Sequence, residues 1–250
     1  MDPIYSPEAA AKALLPMLEA SQYTVFFGGA GVSTASNLPD FRGRDGLYQR
    51  NARVEEILSS SFFQQQPEAF YDFYREFFML RDIHPNPAHE LLAQLEERGL
   101  LASVITQNID GLHQAAGAKR VIEVHGTTLS FSCTRCHRQY ELGRVIELEH
   151  VPHCPDCKGL LRPDIVLYGE ALPEEALRQA LYEISRAELL IVGGTSLTVY
   201  PAAAFINYQR AGGRIVLINQ GAVSCSRRLD LVIDCPIAEV CLALRRLMVL

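Results

Sequence analysis

Short apolar runs alternate with amphipathic stretches along this chain and predict an α/β protein. Ser6 can cap a first helix, with Pro7 in its opening turn and Ala/Leu-rich residues reaching about Ala20. Residues 23–27 (Tyr-Thr-Val-Phe-Phe) read as a buried strand that runs straight into Gly28-Gly29-Ala30-Gly31. From about 36 to 83 the rhythm breaks into polar loops and an aromatic run, 70–78, which reads as a helix packed by its rings. It resumes with a helix opened by Asn86-Pro87 and closed by Gly99, then strands over 102–106 and 121–124. Further on, 164–167 reads as extended, 173–186 as a helix, 189–192 as a strand, and 201–211 as a helix ending at Gly212-Gly213. Residues 214–218 and 231–233 read as strands. Strands alternating with helices argue for a largely parallel sheet covered on both faces.

Two Cys-x-x-Cys pairs, Cys133/Cys136 and Cys154/Cys157, interrupt this pattern with seventeen residues between them. That spacing suits a four-thiolate zinc site on a short ribbon, with no ligand position open for catalysis. His137, His150 and His153 lie nearby, but the cysteine set is complete without them. The fold class expected is therefore α/β, a Rossmann-like parallel-sheet large domain with a small lobe made of a zinc ribbon and a helical module. Residues 1–35, 84–127 and 165–250 are assigned to the large domain, and 36–83 and 128–164 to the small lobe.

Composition narrows the class. The formal net charge of −6 and pI near 5.7 oppose binding to nucleic acid or anionic membranes. Four of the seven cysteines have metal spacing, and Cys225, Cys235 and Cys241 read as small buried thiols, a usage that fits a reducing cytoplasm. No signal peptide and no membrane span are apparent.

Candidate chemistry gathers at strand ends. Gly29-Ala30-Gly31 suits close approach of backbone N–H groups to a phosphate, although Thr34 stands where a dinucleotide fingerprint has its third glycine. Phe41 and Arg42 follow, able to cover a ring and clamp a diphosphate; a polar surface loop would look the same from this stretch alone. Gln107-Asn108-Ile109-Asp110 leaves one strand, His125-Gly126 another, and Gly193-Gly194-Thr195-Ser196 a third, with Asn219 after a fourth. His125 can serve as a general base near neutral pH, or be structural; His113 reads as a capping or structural residue. In an open α/β sheet, residues at strand carboxyl ends converge on one crevice.

These residues resemble the sirtuins, NAD-dependent protein-lysine deacylases, and most of all their compact prokaryotic members. The markers are Gly29-Ala-Gly31-Val-Ser33, Pro39-Asp-Phe-Arg42-Gly, Gln107-Asn-Ile-Asp110, His125-Gly126, the four cysteines, 162–170 (Arg-Pro-Asp-Ile-Val-Leu-Tyr-Gly-Glu) and Gly194-Thr-Ser-Leu. The resemblance spans residues 21 to 240 or so. It implies NAD as a consumed co-substrate, one structural zinc, and acetyl-lysine proteins or peptides as partners, with a monomer expected. NAD would lie against Gly29, Ala30, Gly31, Ser33, Thr34, Phe41, Arg42, Gln107, Asn108, Ile109, Asp110, Gly194, Thr195, Ser196, Asn219, Gln220 and Ile237. His125 and Asn108 would be catalytic, and the peptide would add as a strand between Val166, Tyr168, Gly169, Glu170 on one side and Val199, Tyr200 on the other. The acyl oxygen would displace nicotinamide, and His125 would draw a proton from a ribose hydroxyl that attacks the acyl carbon. Water would complete the cleavage, and the products implied are free lysine, nicotinamide and O-acetyl-ADP-ribose.

Gly28 replaces a usual Thr of that family and Tyr168 a usual Phe. The family's Tyr-x-x-Arg pair for acidic acyl groups is missing: Tyr74 and Phe77 stand three residues after Tyr71 and Tyr74. A neutral acyl group, acetyl first, is expected. Alternatives are an ADP-ribosyltransferase of the same family, a nicotinamide oxidoreductase, and a zinc-ribbon nucleic-acid module.

Overall fold

The computed structural model describes residues 2–41, 43, 46–79, 83–148, 150–221, 223, 225 and 227–249. In chain order its strands are β1 (Thr24–Gly28), β2 (Ser103–Thr106), β3 (Val121–Glu123), β4 (Gly126–Cys133), β5 (Gln139–Glu141), β6 (Leu161–Ile165), β7 (Leu189–Gly193), β8 (Arg214–Ile218) and β9 (Leu231–Ile233). Six of them form one sheet in the order β3-β2-β1-β7-β8-β9, and every pairing in it is parallel. The chain builds outward from β1 to β3, then returns to the other side of β1 with β7. The order reverses at β1/β7, which opens a crevice beyond the carboxyl ends of the strands.

Both faces of this sheet are buried, so its strands are apolar at successive positions. Phe26, Val104, Leu189 and Ile191 point to one face, under the helices Pro7–Glu19, Pro87–Glu97 and Ile237–Met248. Val25, Phe27, Ile105, Leu190 and Val192 point to the other, under Glu174–Arg186 and Ala202–Tyr208. The period of two fixes this partition.

A separate three-stranded antiparallel sheet, β5-β4-β6, carries the cysteines. It shares an aromatic core with the helices of residues 47–79. Phe70 stacks on Tyr74 with centroids 5.6 Å apart, Tyr74 meets Phe131 of β4 edge-on at 6.1 Å, and the Tyr71 hydroxyl donates to the Leu161 carbonyl at 2.5 Å.

Three elements differ from the sequence reading. Residues 201–211 form 3-10 turns over Ala202–Tyr208 instead of an α-helix. Their buried positions Ala202, Ala203, Phe205 and Ile206 repeat every three residues, the period of the tighter helix. The extended segment at 164–167 begins earlier, as β6, and pairs with β4 in the small sheet. The helix Ile237–Met248 was not anticipated, although Ile237, Val240, Cys241 and Leu244 follow helical spacing.

Candidate active site

The crevice at β1/β7 is a cleft of about 520 Å³. Its floor is made by two interlocked glycine turns. Gly29 N–H donates to the Gly193 carbonyl (3.2 Å) and Gly31 N–H to the Gly194 carbonyl (2.9 Å). A Cβ on Gly31 would sit 2.8 Å from the Gly194 Cα, an approach that only glycine permits. Gly194 itself has φ 59°, in the left-handed region. Gln107, leaving β2, ties the turns together by donating to Thr195 Oγ1 (3.0 Å) and the Gly28 carbonyl (3.3 Å).

Behind the floor is a buried polar network. Ser33 Oγ donates to Asp110 Oδ2 (2.7 Å) and accepts from Asn108 Nδ2 (3.0 Å). Asp110 Oδ1 accepts the Leu112 N–H (2.9 Å), so both carboxylate oxygens are fixed. His89 Nδ1 accepts the Asn86 N–H (3.2 Å), which assigns the ring proton to Nε2, facing Ser33 Oγ at 3.4 Å. Burial pushes the His89 pKa down to about 4, against the raising effect of Asp110. Sequence reading missed His89. The signal was its place three residues after the cap Asn86, where it completes a capping box. His113 packs edge-on against it, centroids 4.8 Å apart, fully enclosed as a structural residue.

His125 follows β3. Its Nδ1 donates to the Gln107 carbonyl (2.9 Å), leaving Nε2 with the free lone pair of a base. Burial lowers its pKa below the ordinary imidazole value, only partly offset by that hydrogen bond. The neutral form therefore prevails near neutral pH. Two residues earlier, burial raises the Glu123 pKa.

Of the residues that the resemblance assigns to catalysis, NAD and peptide, all those described line this cleft. Ala30, Ser33, Thr34, Phe41, Asn108, Ile109, Asp110, Ser196, Asn219, Gln220 and Ile237 are among them. Val166, Tyr168, Gly169, Glu170, Val199 and Tyr200 also border it. Arg42 lies outside the described residues. Apolar lining residues were missed, among them Leu47, Leu58, Phe77, Phe78, Ile83 and Leu167. In sequence they look like ordinary core.

The four cysteines meet away from this cleft. Their Sγ atoms lie within 4.8 Å of one another, with Cys133–Cys157 at 3.4 Å and Cys136–Cys154 at 3.8 Å. These separations are far beyond a disulfide and near the roughly 3.8 Å expected of thiolates about 2.3 Å from a tetrahedral ion. Each knuckle closes in the same way: His137 and Lys158 have φ 60°, and their N–H groups return to the Cys133 and Cys154 carbonyls. The set fits zinc. His150 instead meets Asp72, and His153 turns to the Val151 carbonyl. Of the other cysteines, Cys235 and Cys241 are buried, and burial pushes the Cys241 thiol up to about 12. Cys225 is half-buried.

The Sir2 family model matches residues 29–201. A relative from Clostridium perfringens, an NAD-dependent protein deacetylase, is 46% identical over 91% of this chain and 95% of its own length. The chain belongs to the Sir2 family. Solved Sir2 structures superimpose on this member closely. One, a Sir2 variant with a deacetylated p53 peptide and 3'-O-acetyl ADP ribose, gives a TM-score of 0.89 at 43% identity, covering 94% of this chain and 97% of that one. Another, Sir2 with a p53 peptide and NAD+, gives 0.86 at 44% identity, covering 95% and 98%. Among the described residues of this Sir2 protein, no helix is long and apolar enough to cross a membrane.

Proposed function

We propose that this chain removes acetyl and other neutral acyl groups from protein lysine side chains, consuming NAD and releasing nicotinamide and O-acetyl-ADP-ribose. One observation carries the reading: His125, neutral and tethered by Nδ1 to the Gln107 carbonyl, borders the same cleft as the interlocked glycine turns. A base held there beside a diphosphate floor suits proton abstraction from a ribose hydroxyl.

NAD is a substrate in this scheme. The N–H groups and small residues of Gly29–Gly31, with Thr34, Gly194, Thr195 and Ser196, take its diphosphate and ribose; Asn219, Gln220 and Ile237 border the adenine end. Phe41, Ile109, Asn108 and Asp110 enclose the nicotinamide end, with Arg42 beside Phe41. The Ser33–Asp110–Asn108 network supports this, because it fixes an amide and a carboxylate of the kind that can meet a carboxamide. His125 abstracts the ribose proton through Nε2, and Asn108 orients the reacting end. Cys133, Cys136, Cys154 and Cys157 hold a structural zinc that supplies folding energy to the small lobe. A lobe boundary at 36–83 and 128–164 is supported by the separate aromatic core.

The acyl-lysine peptide docks against Val166, Tyr168, Gly169 and Glu170, opposite Val199 and Tyr200. Neutral acyl groups fit because Tyr71 spends its hydroxyl on Leu161 and Tyr74 is buried without a partner among the described residues. Neither phenol lines the cleft, so neither meets an acidic acyl group there. Action as a cytoplasmic monomer without nucleic acid is in keeping with the net charge of −6.

Incubation with NAD and an acetyl-lysine peptide tests the reading by mass spectrometry. Free lysine and O-acetyl-ADP-ribose in equal amounts are expected. Transfer of label from NAD to protein without deacetylation would favour ADP-ribosyl transfer instead.

A further inference from the structure

The loop leaving β6 is closed by a clamp. Arg162 donates through Nη2 to both the Ile165 carbonyl (2.9 Å) and Glu170 Oε2 (2.5 Å). The same carboxylate oxygen accepts the Leu167 N–H (2.9 Å), while the Glu170 N–H returns to the Leu167 carbonyl (3.1 Å). Gly169, at φ 89°, occupies the turn position that requires the left-handed region. One cation thus fixes both ends of the loop through one carboxylate, in the charge-assisted form that is strongest.

The clamp decides which backbone groups are left over. The Tyr168 N–H donates to the Leu58 carbonyl (2.9 Å), and the Tyr168 carbonyl accepts from Ser60 N–H (3.1 Å). The Val166 N–H donates to the His125 carbonyl (2.8 Å). Gly169 is exposed at the cleft, and its N–H and carbonyl carry no hydrogen bond among the described residues. A polypeptide entering along this wall therefore finds pairing groups at Gly169 and at the Val166 carbonyl, and Tyr168 contributes only its side chain.

We propose that Arg162 and Glu170 are positioning residues that hold Gly169 as the docking edge for the acyl-lysine polypeptide. This rests on the reading of residues 166–170 as the peptide wall. Arg162 sits on β6 next to Leu161, which pairs with Cys133, so the clamp also links the docking edge to the cysteine ribbon.

The test is steady-state nicotinamide release by wild type, Arg162→Met, Arg162→Lys, Glu170→Ala and the Met/Ala double variant, with thermal melting to check folding. Two substrates are compared, an acetyl-lysine peptide with several flanking residues and an end-capped acetyl-lysine with none. Arg162→Met and Glu170→Ala should each raise KM for the peptide about ten-fold, the worth of one charge-assisted hydrogen bond. The double variant should be no worse than either alone, because the two residues act as a unit. Arg162→Lys keeps the charge without the fork and should fall between. In the Arg162 variants, KM for NAD and KM for the capped single residue should stay within about two-fold of wild type, since neither uses the strand edge. A flat peptide KM across folded variants, or an equal rise with the capped residue, overturns the clamp. If wild type releases no nicotinamide with the peptide, the deacylase reading itself fails, and the clamp with it. Should Arg162→Met not fold, Arg162→Lys and Glu170→Ala carry the same comparison.

Discussion

The hydroxyls of Tyr48 and Tyr168 meet, joining the short helix Leu47–Arg50 to the loop that follows β6. Tyr48 also packs against Phe41, centroids 5.9 Å apart, and its N–H donates to the Phe41 carbonyl at 3.0 Å. The contact therefore ties the segment at the nicotinamide end to the proposed acyl-lysine wall. A phenylalanine at 168 would lack it. Tyr48→Phe and Tyr168→Phe should each cost about 1 kcal/mol of unfolding free energy, and the double variant no more than either, giving a coupling of about 1 kcal/mol. Denaturant titration of the four proteins measures it; strict additivity would mean the hydroxyls do not interact.

His125→Ala should lower deacylation by about 10²- to 10⁴-fold, the usual worth of a positioned base. The pH profile carries the sign. The active form is the neutral ring, and burial depresses its pKa, so the rate should hold through neutrality and fall only on acidification below the ordinary imidazole value of 6.5. A kcat/KM profile whose acid limb has its midpoint above that value would contradict the environment described.

His113 has no hydrogen-bond partner for either ring nitrogen among the described residues, and its pKa falls to about 3, first through burial and then through His89. His89 falls to about 4. Because both folded pKa values lie below the unfolded one, their stabilising contribution is complete above about pH 6.5 and declines as pH falls, since the unfolded chain then binds the extra protons. Two such groups give a slope of about 3 kcal/mol per pH unit, flattening as first His89 and then His113 titrates in the folded state. His113→Phe should remove one proton from that slope and stabilise the protein by about 2 kcal/mol at about pH 5. Chemical denaturation across this range checks it, and an unchanged slope would reject the neutral buried pair.

Metal analysis should find one zinc per chain. Structural zinc contributes on the order of 10 kcal/mol in small sites, comparable to the whole stability of a domain. Chelation, or Cys133→Ser, should therefore lower the melting temperature and abolish deacylation together, and zinc should restore both in the chelated wild type. Full activity in a metal-free, stably folded protein would show that the ribbon does not depend on the ion.

Much of this molecule was legible in its sequence, for identifiable reasons. The strands of the large sheet are buried on both faces and so read as apolar runs, and Asn86-Pro87 announced its helix by capping chemistry alone. Gly29, Gly31 and Gly194 were legible because close backbone approach leaves no alternative residue. His89 was overlooked because its capping hydrogen bond hides a second contact with Ser33, a residue distant in sequence. The helix Ile237–Met248 carries its spacing in the chain, but Pro236 before it offers no side-chain cap to mark its start.

Sequence by itself determined the α/β class, the metal-type cysteine set and the polar residues at the strand ends, because each depends on local periodicity or spacing. Tertiary structure alone decided which of them act together. Parallel pairing reverses at β1/β7 and brings Gly31 to Gly194, Gln107 to Thr195, and Ser33 to Asp110 across long chain separations. It also decided that Gly169, and not Tyr168, keeps its backbone groups unpaired, because that depends on the Arg162–Glu170 clamp and on the Leu58–Ser60 segment packed beside it. Hydrogen bonds between residues so far apart leave no periodic trace in the chain.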